Sequence, residues 1–111
     1  MVKVEIFRDI DKRILSFKCV GHAESVRNPG DKDLVCAAVT AVIYAALGYM
    51  EEYYNMHDFV QRDGFVLWER PEGLEPGVIH NISIALDAMA IGLKQIEMQF
   101  SKNIKVIDTE V

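Results

Sequence analysis

With 111 residues, half of them hydrophobic and 26% charged, the chain has the composition of one globular domain, which argues against a disordered protein. Its net charge of −5 and the absence of a basic stripe argue against a nucleic-acid-binding domain. Two cysteines, no N-terminal signal segment and no apolar run of roughly 18 residues predict a single cytoplasmic domain, residues 1–111, with reduced thiols and no membrane partner.

The first twenty residues predict a β-hairpin. Apolar and polar side chains alternate over residues 2–7 and again over residues 14–19, and the polar stretch RDIDKR between the two runs supplies a turn. In the second run the alternation puts Cys19 on the same face as Leu15 and Phe17. We expect this face to lie in the core.

A loop and a long helix follow. Residues 21–32 contain two glycines, a proline and several charges, which predicts a loop of a length that is often functional in small domains. Asp33 is a good helix N-cap, because its carboxylate can accept the unpaired N–H groups of the first turn. The helix is expected over residues 34–54. It is apolar nearly all round, which predicts burial on most of its faces.

The second half of the chain predicts another hairpin, another helix and a short strand. Asp63-Gly64 between two strand-like runs indicates a type I′ turn, in which both central residues have positive φ. One apolar stripe marks a helix over residues 77–100, and residues 103–108 predict an edge strand. The order is therefore ββαββα(β), an α+β fold with a small antiparallel sheet packed with two long helices.

Cys36 falls at the third position of the first predicted helix, where unpaired N–H groups and a partial positive charge stabilise a thiolate. The same N–H groups could hold the oxyanion that forms when a thiolate attacks a carbonyl. His22 is the one histidine in the preceding loop, and an imidazole titrates close enough to neutral pH to act as a general base. A cysteine, a base and a helix N-terminus are the parts of a cysteine hydrolase.

Other interpretations of these residues remain open. Cys36 could be a small core residue, since cysteine is often buried without a chemical role. Asp33 could be only a cap, or a cap and a third catalytic member. The Thr40 hydroxyl, one turn beyond Cys36, is expected to bond back to the backbone. The aromatic side chains of the second hairpin could line a peptide groove or belong to the core: Phe59, Phe65 and Trp68.

A zinc site built from Cys19, His22 and Cys36 is a further alternative. Tetrahedral zinc needs a fourth ligand or an open catalytic position. His57 and His80 belong to no recognisable ligand pair, and Cys19 is expected to face the core. We therefore expect neither a metal nor another cofactor.

Two motifs together resemble a known family. GHA at residues 21–23, followed by DLVCAAVTA at residues 33–41, is similar to the pattern GHA, glycine-containing loop, DIVCAAVS of the bacterial ribosomal-processing cysteine protease Prp. The chain length and the predicted element order also match this family. Thr40 stands where the family usually has serine.

The resemblance implies a homodimeric cysteine endopeptidase that removes a short N-terminal extension from the large-subunit ribosomal protein numbered twenty-seven, cleaving after a phenylalanine. It implies Cys36 as the nucleophile, His22 as the base and Asp33 as a supporting residue. We expect the substrate loop, with Gly21, Ala23 and Gly30, to be mobile when empty and ordered by the peptide. The alternative function is a non-catalytic dimeric module that binds or assembles a ribosomal protein.

Overall fold

The computed structural model describes residues 1–26, 28, 30 and 33–110. Five strands form one sheet in the order β3-β4-β2-β1-β5. Neighbouring strands are antiparallel except for β1 and β5, which are parallel, so the sheet is mixed. The α+β class and the predicted order are confirmed. The elements are β1 (Val2–Arg8), β2 (Ile14–Val20), α1 (Leu34–Tyr54), β3 (Phe59–Arg62), β4 (Phe65–Glu69), α2 (Pro76–Gln99) and β5 (Ile104–Glu110).

The first hairpin forms as predicted, but a β-bulge changes which side chains face the core. Phe7 pairs with Ser16 and Arg8 pairs with Ile14, so the register shifts by one residue at Leu15. Ile14 is fully buried, whereas Leu15 is 38% exposed. The placement of Leu15 on the core face was therefore wrong, because the extra residue of a bulge interrupts the alternation. Phe17 and Cys19 lie beyond the bulge and are buried as expected.

Helix α1 has the predicted bounds, but the predicted burial on most of its faces is wrong for the single chain. The helix packs against α2 and over the sheet. A Cβ at Gly92 of α2 would lie 3.0 Å from Val42, so the two helices approach closely at this point. The opposite face is open, and Leu34 is 78% exposed. The buried residues of α1 form one stripe: Val35, Val39, Ile43, Ala46, Leu47 and Met50.

The second hairpin is also confirmed, with Asp63 and Gly64 in its turn. Gly64 has a φ of +68°, whereas Asp63 is not among the residues with positive φ. The turn is therefore not the predicted type I′ turn, which needs positive φ at both positions. Gly64 also accepts a hydrogen bond from the Gly21 N–H at 2.8 Å, so the turn is docked on the loop that follows β2.

Helix α2 begins and ends within one residue of its predicted bounds and turns its apolar stripe to the core. Strand β5 is an edge strand, as expected, and lies beside β1. The Arg8 guanidinium joins this edge to α2, because it donates to Asp108 of β5 at 2.8 Å and to Asp87 of α2 at 2.8 Å. The fully or nearly buried apolar residues of α2 are Ile82, Leu86, Met89, Ala90 and Leu93.

Both helices are long and apolar enough to cross a membrane if length and composition alone are considered. This is weak evidence, because the core helix of a soluble protein passes the same test. In this structure each helix buries a stripe in the shared core. The expectation of no membrane partner stays a prediction.

Candidate active site

The tripeptide Gly21-His22-Ala23 directly follows β2, and its first and last residues are fixed by close contacts. Gly21 has a φ of +101°, and a Cβ at this position would clash with the Met1 carbonyl oxygen, so only glycine fits. Ala23 is 1% exposed, which leaves no room for a larger side chain without movement of the core. Between them the His22 side chain is 58% exposed. The loop thus presents an accessible imidazole from a well-anchored backbone.

Asp33 is the N-cap of α1, as predicted, and it also holds the preceding loop. Its Oδ1 accepts the Cys36 N–H at 3.0 Å and the Ser25 hydroxyl, and its Oδ2 accepts the Ser25 N–H at 2.9 Å. Burial opposes ionisation of Asp33. The hydrogen bonds from Ser25 and from the Cys36 and Val35 N–H groups outweigh burial and lower the pKa of Asp33 to about 2. The cap is therefore an anion at neutral pH.

Cys36 is half-buried at the third position of α1, and its Sγ accepts the Ala23 N–H at 3.1 Å. The sequence led us to expect a donor from the first helical turn at this place. The structure corrects this expectation, because Asp33 already accepts the Cys36 N–H. Across the described parts of the chain, the hydrogen bond to the sulfur comes from the loop. Only the tertiary fold could place that loop N–H beside the thiol.

His22 and Cys36 line one open cavity of about 400 Å³, together with Thr40. The two catalytic candidates are not hydrogen-bonded to each other in the described structure. The His22 ring lies instead against Gly64, where a Cβ would be 3.0 Å from Nε2, and its Nε2 is 3.8 Å from an Asp63 carboxylate oxygen. The fold therefore brings the two side chains to one cavity with the imidazole turned toward the β3–β4 turn.

The remaining wall of the cavity includes residues that sequence reasoning missed. Tyr44 lies on the same face of α1 as Cys36 and Thr40, and the four-residue spacing of these three was a usable signal. Ser25, which holds Asp33 but does not line the cavity, gave no such signal, because its contact with Asp33 depends on the path of the loop. The hydrogen bonds of the described residues do not include the expected bond from the Thr40 hydroxyl to the backbone.

Cys19 lines the same cavity but is only 8% exposed. Burial raises the pKa of the Cys19 thiol to about 11, and the neighbouring Cys36 adds to this rise. Cys19 is thus a core thiol that is protonated at neutral pH. In the part of the chain that the structure describes, no three His, Cys, Asp or Glu side chains are grouped as a metal site.

The aromatic residues of the second hairpin divide between core and cavity. Trp68 is 2% exposed and stacks on Phe17, with ring centroids 6.0 Å apart. Phe65 lines the cavity, and the Arg62 guanidinium lies 4.4 Å from its ring centroid. Trp68 and Phe59 therefore belong to the core or pack against it, whereas a peptide groove at Phe65 stays a prediction.

The substrate loop is described only in part. Gly30 has a φ of +89° and nothing within 4 Å of an added Cβ. The expected mobility of the empty loop concerns residues 27, 29, 31 and 32 as well, which lie outside the described residues. That expectation stays a prediction.

Comparison with known proteins gives consistent matches along nearly the whole chain. A family model described as cysteine protease Prp matches residues 1–105. The ribosomal processing cysteine protease Prp of Bacillus subtilis (strain 168) is 32% identical over 109 residues, which span 96% of each chain.

Solved structures share the fold. The Prp protease of S. aureus with a covalently linked product peptide has a TM-score of 0.82 at 20% identity, over 98% of this chain and all of that one. The same protease with a substrate peptide has a TM-score of 0.79 at 18% identity, with the same coverage. The family match and the relative at 32% identity, together with a histidine and a thiol at a capped helix N-terminus that line one cavity, lead to one conclusion. The chain belongs to the Prp family of cysteine proteases.

Proposed function

We propose that this protease is a cytoplasmic endopeptidase that removes the N-terminal extension of a large-subunit ribosomal protein, the one numbered twenty-seven. Cys36 is its nucleophile and His22 its general base. The observation that carries the proposal is the single cavity that both side chains line at the N-terminus of α1. The name of the B. subtilis relative and the peptides bound to the S. aureus protease support a ribosomal peptide substrate.

Acylation follows from this arrangement. His22 takes the proton of the Cys36 thiol, and the thiolate attacks the carbonyl carbon of the scissile peptide bond. The tetrahedral intermediate collapses when the C–N bond breaks and the imidazolium gives its proton to the leaving amine. The products of this half are a Cys36 thioester with the N-terminal fragment and the free amine of the mature protein.

Deacylation uses the same two residues. His22 takes a proton from a water molecule as its oxygen attacks the thioester carbonyl. The C–S bond breaks, the fragment leaves with a carboxyl group, and the imidazolium returns its proton to the sulfur, which restores the thiol of Cys36 and the neutral His22. His22 therefore has to reach both Sγ and water, which fits a side chain that is 58% exposed.

The imidazole must turn before it can act, because in this structure it lies against the β3–β4 turn. A substrate chain that enters the cavity beside Asp63 and Gly64 occupies the place of the resting ring. We infer that the peptide displaces His22 toward Cys36 and orders the substrate loop. Catalytic contacts often tighten only in the complex with substrate.

The apolar part of the cavity fits a hydrophobic cleavage motif. Its volume of about 400 Å³ lies within the usual range of small-ligand pockets and exceeds that of one aromatic side chain. Val39, Ile43 and Val66 line it with Phe65, so an aromatic substrate residue would lose its contact with water there. This supports cleavage after a phenylalanine.

The open face of α1 supports a homodimer. Leu34 is 78% exposed, and the exposed residues of the same helix include Ala37, Ala41 and Ala45. A second copy would cover this apolar surface, and a short chain with a large surface gains stability from such a contact. Light scattering after size-exclusion chromatography tests this state, and a monomer at micromolar concentration would contradict it.

The decisive experiment is cleavage of a peptide that spans the N-terminal extension of the ribosomal protein from the same organism. Wild type should cleave it, whereas Cys36→Ala and His22→Ala should not, although both should still bind the peptide. Cleavage by Cys36→Ala would refute the role of Cys36 as nucleophile. Binding without cleavage by wild type would favour the alternative, a non-catalytic module that binds a ribosomal protein.

A further inference from the structure

The two peptide groups that flank the Ala23 Cα are both hydrogen-bonded. Its N–H donates to Cys36 Sγ at 3.1 Å, and its carbonyl oxygen accepts a hydrogen bond from Asn103 Nδ2 at 2.9 Å. A carbonyl oxygen can only accept, so the amide group of Asn103 has to present its NH2 side here. The side chain of Ala23 is 1% exposed, which prevents the residue from rotating away.

Asn103 is itself fixed by the fold. It lies directly before β5, with its N–H donating to the Phe100 carbonyl at 2.8 Å and its carbonyl accepting the Val2 N–H at 2.8 Å. It therefore connects the end of α2, the start of β1 and the loop that carries His22. Two of these three bonds, to Val2 and to Ala23, join segments far apart in sequence, so this position is set largely by tertiary structure.

A donor beside the sulfur matters because hydrogen bonds to the charged form of a group favour that form. The Cys36 N–H donates to Asp33 and not to the sulfur. In the described structure the Ala23 N–H makes the hydrogen bond to Sγ. The orientation of the His22–Ala23 peptide group, which carries this N–H, thus decides how well a thiolate is stabilised at Cys36.

We propose that Asn103 is a positioning residue of this protease: it holds the Ala23–Glu24 peptide group and thereby fixes the backbone of Ala23, so that the Ala23 N–H stabilises the Cys36 thiolate. The role rests on the proposed function of Cys36 as nucleophile. Asn103 acts through Ala23 and touches no reacting atom. The same anchor fixes the backbone of His22, the residue before Ala23.

The test is the pH profile of Cys36 alkylation by iodoacetamide, followed on the Cys36 peptide by mass spectrometry between pH 5 and 9. Asn103→Ala removes the donor, and Asn103→Leu removes it while keeping a branched side chain of similar shape without adding a charge. Asn81→Ala is the matched control, because Asn81 Nδ2 makes a side-chain bond of 2.8 Å to the Tyr54 hydroxyl. All variants keep the titratable groups around the cavity: Cys19, His22, Asp33, Tyr44, Arg62 and Asp63.

We expect both Asn103 variants to be alkylated at pH 6.5 about fivefold more slowly than wild type, the effect of losing one ordinary hydrogen bond. The half-maximal rate should move to higher pH, whereas the limiting rate at pH 9 should stay the same, because access to Cys36 is unchanged. Asn81→Ala should match wild type. Urea unfolding of each variant ensures that only folded protein is compared.

Profiles of the Asn103 variants that superimpose on wild type would overturn the proposal, and so would an equal shift in Asn81→Ala. Cleavage of the extension peptide by wild type tests the proposed substrate independently of the positioning role of Asn103. A wild-type protein that leaves the peptide intact, while the Asn103 variants show the shift, would refute the substrate and support the positioning role. Cleavage by wild type with no shift in the variants would support the substrate and refute the positioning role.

Discussion

Asp33 has two separable roles, and substitutions can divide them. Its Oδ1 caps α1 by accepting the Cys36 N–H at 3.0 Å, and its Oδ2 holds the loop by accepting the Ser25 N–H at 2.9 Å. Loss of an N-cap side chain costs about 1 kcal/mol. Loss of a hydrogen bond in a part-exposed loop costs about 1 kcal/mol more. Asparagine keeps the cap oxygen but turns an NH2 group toward Ser25, so it loses only the second contribution.

We therefore expect Asp33→Asn to lower the free energy of unfolding by about 1 kcal/mol. Asp33→Ala should lower it by about 3 kcal/mol, because alanine loses the cap and both bonds from Ser25. Urea unfolding with an unchanged slope measures both values. Ser25→Ala keeps the N–H bond but removes the hydroxyl that donates to Asp33 Oδ1. It should cost about 1 kcal/mol in wild type and close to nothing in the Asp33→Ala background, where the acceptor of this hydroxyl is already gone. Equal costs in the two backgrounds, or equal effects of Asp33→Asn and Asp33→Ala, would refute the two-role account.

Three further predictions concern strain, charge and pH. Gly21→Ala should lower the free energy of unfolding by about 2 kcal/mol or more, because the strain of a positive φ and the clash with Met1 add up. Gly73 also has a positive φ but faces open space, so Gly73→Ala should lower it by about 1 kcal/mol in the same urea assay. Similar values for the two variants would contradict this reasoning. Arg8→Met should lower the free energy of unfolding by about 2 kcal/mol, because the mostly buried Asp108 then has Lys94 as its remaining ion-pair partner. An effect below about 0.5 kcal/mol, as expected for exposed ion pairs, would contradict a stabilising ion pair between Arg8 and Asp108. The pKa of Asp33 falls on folding from 3.8 to about 2, so its ionised form contributes stability above pH 3.8 that is lost as the pH falls toward 2. The difference in unfolding free energy between wild type and Asp33→Asn should therefore be constant near neutral pH and shrink between pH 3.8 and 2. A difference that stays constant over the whole range would contradict this prediction.

The helices and hairpins could be predicted because their causes are local. Asp33 fixes the start of α1 through a cap that spans three residues, and alternation of apolar and polar side chains defines the strands. The same local signals placed Cys36 at the third helical position. The resemblance of GHA and DLVC to the Prp family then predicted a cysteine protease with Cys36 as nucleophile and His22 as base.

Local patterns failed where one residue changes the register or where distant segments meet. The bulge at Leu15 reversed its exposure, and the turn at Asp63-Gly64 differs from type I′. The open face of α1 could not be read from its composition, because an apolar helix gives no information on how many of its faces find a partner within one chain.

The sequence by itself determined the element order, the capped helix N-terminus and the identities of the nucleophile and base candidates, because these depend on neighbours within a few residues. Only the tertiary structure decided what surrounds the thiol. The Ala23 N–H reaches Cys36 across thirteen positions, and Asn103 reaches Ala23 across eighty. Such contacts depend on how the sheet, the loop and both helices pack together, and no local spacing encodes them.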